Sequence, residues 1–255
     1  MNRAGGGHRD AGWRQLVAAL LLCAGPEILA GPAFAQWPNG SVVAQTLHNL
    51  SRTAQVDPMR NFISQYQEAC VYCHSPHGGR TERPLWNRVL PTGPYRMYDT
   101  RNLSMIADAQ PTGTSRLCLS CHDGTIALDD VINQPIRHTG PSAPGETIKR
   151  CATECHQGGS PEGGFNWEKV WFDTDLRTQH PIAIQYDPSR NANFQPAAAV
   201  EAAGLKLEDG RVQCNTCHDP HTQQNRKFLR IPNTGGSLCL VCHRTTPSRT
   251  TAHFW

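Results

Sequence analysis

Apolar positions along this chain do not keep the period of a long helix or a strand. No window holds the 3.6-residue spacing of a long amphipathic helix, and no run alternates long enough to predict a strand. The 22 Gly and 19 Pro residues interrupt nearly every segment. The pattern therefore predicts a mostly irregular fold with short α-helices and little or no β-sheet. Ala197 to Leu207 is predicted to form one of these helices, ending at Asp209-Gly210.

Residues 1–35 have the layout of a secretory signal peptide. Three arginines precede an apolar run, Leu16 to Ala24, and the small-residue site Ala33-Phe34-Ala35 follows. The run is too short to span a bilayer comfortably, and no later segment is apolar enough to cross a membrane. We predict cleavage after Ala35, with Ala30 as the alternative, and a mature chain in the periplasm or outside the cell without a transmembrane segment.

The composition predicts a thin core of side chains. Apolar residues make up only 38% of the chain, and its eleven cysteines are too many for an ordinary cytosolic protein. The thin core therefore indicates disorder, disulfides, or large cofactors that supply apolar surface. The formal net charge of +3 comes without a Lys/Arg-rich stripe interleaved with aromatics, so a nucleic-acid partner is not predicted.

The ten cysteines that follow the signal segment fall into five pairs, each followed at once by a histidine. Four pairs have the spacing Cys-x-x-Cys-His, and the third pair along the chain is longer by one residue. The five motifs are Cys70-Cys73-His74, Cys118-Cys121-His122, Cys151-Cys155-His156, Cys214-Cys217-His218 and Cys239-Cys242-His243.

This spacing is the attachment signature of c-type haem. Residues three apart share one face of a helical turn, so both thiols can reach the two vinyl groups on one porphyrin edge. The histidine that follows reaches the iron as proximal ligand. Zinc knuckles or disulfides would not require a histidine after every second cysteine. A structural disulfide between Cys151 and Cys155 remains the alternative for the longer motif. The sequence thus predicts five covalently attached haems, or four if that motif is not used.

Six further histidines follow the signal segment as candidate distal ligands: His48, His77, His138, His180, His221 and His253. His77 and His221 each lie three residues after a motif histidine. A residue so close in sequence cannot easily wrap around to the other face of the same porphyrin. Each of these two is therefore predicted to ligate a neighbouring haem.

The motifs also form an internal repeat. The first motif continues as Ser75-Pro76-His77 and the Cys214 motif as Asp219-Pro220-His221, while Thr-Gly stretches with a serine precede the Cys118 and Cys239 motifs. We predict a single domain over residues 36–255. In it, a first haem pair (36–130) and a second (201–255) flank an insertion (131–200) with the longer motif and His180.

These residues resemble the doubled CXXCH-motif family of multihaem c-type cytochromes. The matching pieces, which cover most of the mature chain outside 130–175, are Leu47 to Ser51, Cys70 to Gly78, Pro84 to Asn87, Ser115 to Leu128, His180 to Ile182, Val212 to His221, Lys227 to Arg230 and Leu238 to His243. The resemblance implies a fold organised around stacked bis-His low-spin haems and a role in electron transport. It implies His48, His77, His180 and His221 as distal ligands.

The longer motif departs from the family's four-haem pattern and needs a fifth distal ligand. His138 is predicted for this role, with His253 as the alternative. No nucleophile–base constellation is present, so we predict an electron carrier that serves redox partner proteins rather than an enzyme. Two alternatives stay open. One is a multihaem reductase with an open-coordinate haem at Cys151–His156. The other is a self-associating filament in which His48 ligates a haem of the next copy.

Overall fold

The computed structural model of the chain describes residues 43–51, 66, 68–79, 85–98, 101, 103–134, 147–150 and 170–245. All of these belong to one unit that spans residues 36–255. The predicted signal segment, the longer motif (Cys151, Cys155 and His156), His138 and His253 lie outside the described residues.

Short helices form around the cysteine pairs. The α-helices of the described residues are α1 Gly113–His122, α2 Ile148–Arg150, α3 Ala197–Ala202, α4 Cys214–Cys217 and α5 Ser237–Cys242. Single 3-10 turns occur at Val43–Gln45, Ala69–Tyr72, Leu176–Thr178, Pro188–Arg190, Arg226–Phe228 and Thr234–Gly236. Helical turns are therefore confirmed at four of the five motifs. The Cys70 pair lies in a 3-10 turn, and the other three described pairs lie in α1, α4 and α5.

The prediction of a helix from Ala197 to Leu207 was wrong about where the helix ends. Helix α3 stops at Ala202, well before Asp209-Gly210. Gly204 adopts a φ of +97°, its N–H donates to the carbonyl of Glu201 at 3.0 Å, and the Leu205 N–H donates to Val200 at 3.4 Å. These two bonds form a Schellman cap, in which glycine takes the left-handed position without strain.

A small antiparallel sheet joins distant parts of the chain. Its strands are β1 Ile106–Ala107, β2 Ile184–Gln185 and β3 Arg211–Val212, in the order β1-β2-β3. Ile106 pairs with Gln185, and Ile184 pairs with Val212. Strands of two residues are too short to leave an alternating pattern, which explains why the sequence predicted no strand.

Residues 85–87 pair with the Cys70 motif and with the residue that follows it. The Ser75 N–H donates to the carbonyl of Leu85 at 2.9 Å, and the Asn87 N–H donates to the carbonyl of Cys73 at 2.9 Å. Leu85 has a φ of +54°. These two bonds hold the segment that follows the motif histidine.

The Cys214 motif repeats this arrangement. The Asp219 N–H donates to the carbonyl of Phe228, and the Arg230 N–H donates to the carbonyl of Cys217, both at 2.8 Å. Phe228 has a φ of +59°, close to that of Leu85. The internal repeat of the sequence is therefore also a repeat of backbone geometry, with Arg230 in the place of Asn87.

Apolar side chains are divided among several small clusters rather than gathered in one core. Within the described residues, each cluster contains three to six buried side chains. The motif cluster, as we call it, consists of Tyr66, Tyr72, Leu128, Val131 and Ile148, with Cys73 and Cys121 packed against it. The sheet cluster consists of Met105, Ile184, Tyr186, Val200, Leu205 and Val212, with Cys242 packed against it. The motif cysteines thus lie at the edges of the apolar clusters.

Candidate cofactor site

None of the eight described motif cysteines forms a disulfide. In three motifs the histidine N–H closes the turn on the first cysteine, with His74 donating to Cys70 at 2.8 Å, His218 to Cys214 at 3.1 Å and His243 to Cys239 at 2.9 Å. In the remaining motif, all three residues lie inside α1. Positions i, i+3 and i+4 share one face of a helical turn, so two thiols and an imidazole face the same side.

The imidazoles are held in the tautomer that ligates iron through Nε2. In five histidines, Nδ1 lies within hydrogen-bond distance of an oxygen that can only accept. The partners are Pro220 O for His48 (3.2 Å), Val170 O for His122 (2.6 Å), Pro181 O for His180 (3.1 Å), Lys227 O for His218 (2.8 Å) and Asp219 Oδ1 for His221 (3.1 Å). Nδ1 therefore carries the proton and Nε2 the lone pair, a common arrangement for metal-ligating histidines. This donor set fits haem.

His74 and His221 face each other across the repeat. Their ring centres are 6.2 Å apart and their planes differ by 17°. Two imidazoles at this separation could hold one haem iron between them. His221 thus lies beside the histidine of a different motif, not the one that it follows in sequence.

His48 and His122 form a second such pair. Their ring centres are also 6.2 Å apart, with planes at 75°. His48 stacks on Phe228 at 4.3 Å, which fixes its ring plane. Burial, and next the neighbouring His122, lowers the pKa of His48 to about 4. His48 is therefore neutral at pH 7, the form that a metal requires.

Of the remaining described histidines, His180 and His243 are neighbours, and the other two are exposed residues. Burial, and next His243, lowers the pKa of His180, while Phe194 packs on His243 with ring centres 4.7 Å apart. His218 and His77 are exposed. Within the described part of the chain, the ring of His77 makes no ring contact, so the structure does not bring it beside a motif histidine.

The four described attachment turns lie next to one another in chain order. Cys73 and Cys121 pack on the same motif cluster, and burial and Cys121 raise the pKa of the Cys73 thiol to about 12. The thiols of Cys118 and Cys214 hydrogen-bond to each other, which raises the pKa of Cys118. Burial, and next Cys242, raises the pKa of Cys217 to about 12. The turns at Cys70, Cys118, Cys214 and Cys239 therefore form a row in which each turn neighbours the next one along the chain.

Hydrogen bonds between polar side chains hold α1 and α4 together at the central contact. Ser115 Oγ donates to Gln213 Oε1 at 2.6 Å and accepts from the Cys214 N–H at 3.0 Å. The buried Glu208 carboxylate accepts from the Thr114 N–H at 3.2 Å and from Thr114 Oγ1. Sequence reasoning missed these residues. The serine that recurs before the Cys118 and Cys239 motifs was the available signal.

Within the described residues, no helix is both long enough and apolar enough to cross a lipid bilayer. Residues 207–247, which contain the Cys214 and Cys239 motifs, match the family described as the doubled CXXCH motif. No curated protein matches the chain. The match bears out the resemblance to the doubled CXXCH family, and these motifs indicate a multihaem c-type cytochrome with covalently bound haem.

Proposed function

We propose that this protein is an exported pentahaem c-type cytochrome that transfers electrons between redox partner proteins through a chain of bis-His haems. The observation that carries the proposal is the succession of neighbouring attachment turns, above all the contact between α1 and α4, where Ser115 Oγ accepts from the Cys214 N–H at 3.0 Å. Helices in contact would hold their two haems close to each other. Such an arrangement suits electron exchange along a row of cofactors.

Haem iron supplies reversible one-electron chemistry in such a protein, and the polypeptide supplies its attachment and ligation. We assign His221 as the partner of His74, His48 as the partner of His122, and His180 as the partner of His243. By the repeat, His77 is the partner of His218. His138 is assigned to His156 at the longer motif, where Cys151 and Cys155 would hold the fifth haem.

The contacts of His48 favour a carrier over a filament subunit. Its ring lies against His122 and Phe228 of the same chain, and its Nδ1 bonds to Pro220. A histidine donated to the next copy would have to leave all three contacts. These contacts therefore support a ligand role for His48 within one chain.

Spectroscopy of the oxidised protein tests this function. Because each iron is assigned two imidazoles, we expect electron paramagnetic resonance to show low-spin ferric haem only, and all haems to reduce and reoxidise reversibly. A high-spin ferric signal that disappears when nitrite or sulfite is added would contradict the proposed role as an electron carrier. It would favour a reductase with an open iron position.

A further inference from the structure

Arg88 is a fully buried cation beside the first two attachment turns. Its relative exposure is 0%. Its guanidinium donates to three backbone carbonyls, with Leu128 at 2.8 Å, Ser120 at 3.0 Å and Ala127 at 2.7 Å. Ser120 lies between the two cysteines of the second motif, so Arg88 bonds directly to that attachment turn.

Within the described part of the chain, Arg88 has no ion-pair partner. Its partners there are carbonyl dipoles, which carry no net charge, and its Nε has no hydrogen-bond partner. Taking a cation out of water without a counter-ion is unfavourable by several kcal/mol. A charge kept in such a place acts strongly on its surroundings, since the local dielectric is low.

Arg88 also lies close to the first attachment turn. The N–H of its neighbour Asn87 donates to the carbonyl of Cys73 at 2.9 Å. The Arg88 charge opposes the burial that raises the pKa of Cys73. It also adds to the burial that lowers the pKa of His122. One cation therefore acts on both turns.

Two buried carboxylates also belong to this region. Asp123 accepts from Tyr95 Oη at 2.5 Å and from the N–H and Oγ1 of Thr125, both at 2.8 Å. Its charge acts on His122 in the direction opposite to Arg88. The second carboxylate, Asp129, is also buried. At His122 the charges of Arg88 and Asp123 thus oppose each other, whereas Arg88 is the nearby cation at Cys73.

We propose that Arg88 sets the reduction potential of the haems at the first and second motifs, raising it through a buried positive charge. The inference rests on the proposed function, since it requires haem at Cys70–His74 and Cys118–His122. Ferric haem carries one more positive charge than ferrous haem, so a nearby cation disfavours the oxidised form. If Arg88 had only a structural role, it would bind the three carbonyls without changing the reduction potential of either haem.

The experiment compares three variants by potentiometric titration of the holoprotein, with haem content checked by intact mass and folding by circular dichroism. Arg88→Met removes the charge at similar length, and Arg88→Lys retains it. Arg190→Met is the matched control, because the Arg190 side chain is exposed and its Nε donates to the carbonyl of Ser104 at 3.2 Å, a residue of neither attachment turn.

At the potential where the first two haems of the wild type are half reduced, Arg88→Met should raise their ferric-to-ferrous ratio about tenfold. That is a fall of about 59 mV for a one-electron couple. Arg88→Lys and Arg190→Met should stay within about threefold of the wild type. A fully loaded Arg88→Met protein with an unchanged ratio would overturn the proposal, as would an Arg88→Lys shift equal to that of Met.

If Arg88→Met does not retain its haems, Asp123→Asn provides the second test. Removing the opposing carboxylate should shift the second haem the other way, towards a lower ferric-to-ferrous ratio. An unchanged ratio would mean that buried charge does not set the potential here. Absence of haem from either motif in the wild-type mass would instead defeat the proposed function, so the two failures are distinguishable.

Discussion

Replacing His221 with alanine should convert the haem at Cys70 and Cys73 from low-spin to high-spin while the other haems stay low-spin. His221 faces His74 at 6.2 Å with nearly parallel planes. Alanine offers no donor atom, so the iron would keep His74 and lose its sixth ligand. Loss of the sixth ligand should change the spin state of this iron completely, so the expected effect is large.

Electron paramagnetic resonance of the ferric protein measures this change directly. His180→Ala is the matched control, because it should produce high-spin haem at the Cys239 motif instead. Adding Cys70→Ala and Cys73→Ala to the His221 variant removes the first haem and should remove the high-spin signal with it. A signal that persists in the triple variant, or a His221 variant that is low-spin throughout, would show that the pairing is wrong.

The second large effect concerns folding without haem. A chain made without haem attachment is expected to lose its helices and become sensitive to protease. The described apolar side chains are divided among small clusters, and the strands have two residues each. Clusters of this size cannot offset the conformational entropy of ordering so irregular a chain. Folding should therefore be coupled to the attached cofactor, as it is to the metal in small metal-binding domains.

Circular dichroism and limited proteolysis of the haem-free chain, beside the holoprotein, measure this dependence. The control is a variant with Cys239→Ala and Cys242→Ala only. It should lose one haem and stability near α5, but it should keep the motif cluster around Cys73 and Cys121. A haem-free chain as helical and as protease-resistant as the holoprotein would contradict the expectation.

Local features of this molecule could be predicted from its sequence. The Cys-x-x-Cys-His spacing predicted helical turns, and the structure has them at all four regular motifs, because a five-residue turn depends on nearby residues alone. Gly204 ends α3 earlier than predicted. Gly204 followed by the apolar Leu205 has the signature of a Schellman cap, which is a stronger stop signal than the later Asp209-Gly210 pair.

Contacts between distant segments could not be predicted. The sequence indicated that His221 ligates a neighbouring haem, but not which one, because that depends on how the two repeats pack. Arg88 and Glu208 look like ordinary surface charges in sequence, since burial of a charge is a tertiary property. Only the packing of α1 against α4, and of residues 120–128 around the guanidinium, gives these residues their surroundings.

The intact mass of the exported protein, with haem-bearing peptides mapped after digestion, decides whether this chain is a pentahaem cytochrome. We expect a chain that begins at Gln36 and carries five covalently attached haems, four of them at the regular motifs. A mass with four haems would show that the motif at Cys151–His156 holds none. A mass equal to the bare polypeptide would show that the protein is not a c-type cytochrome.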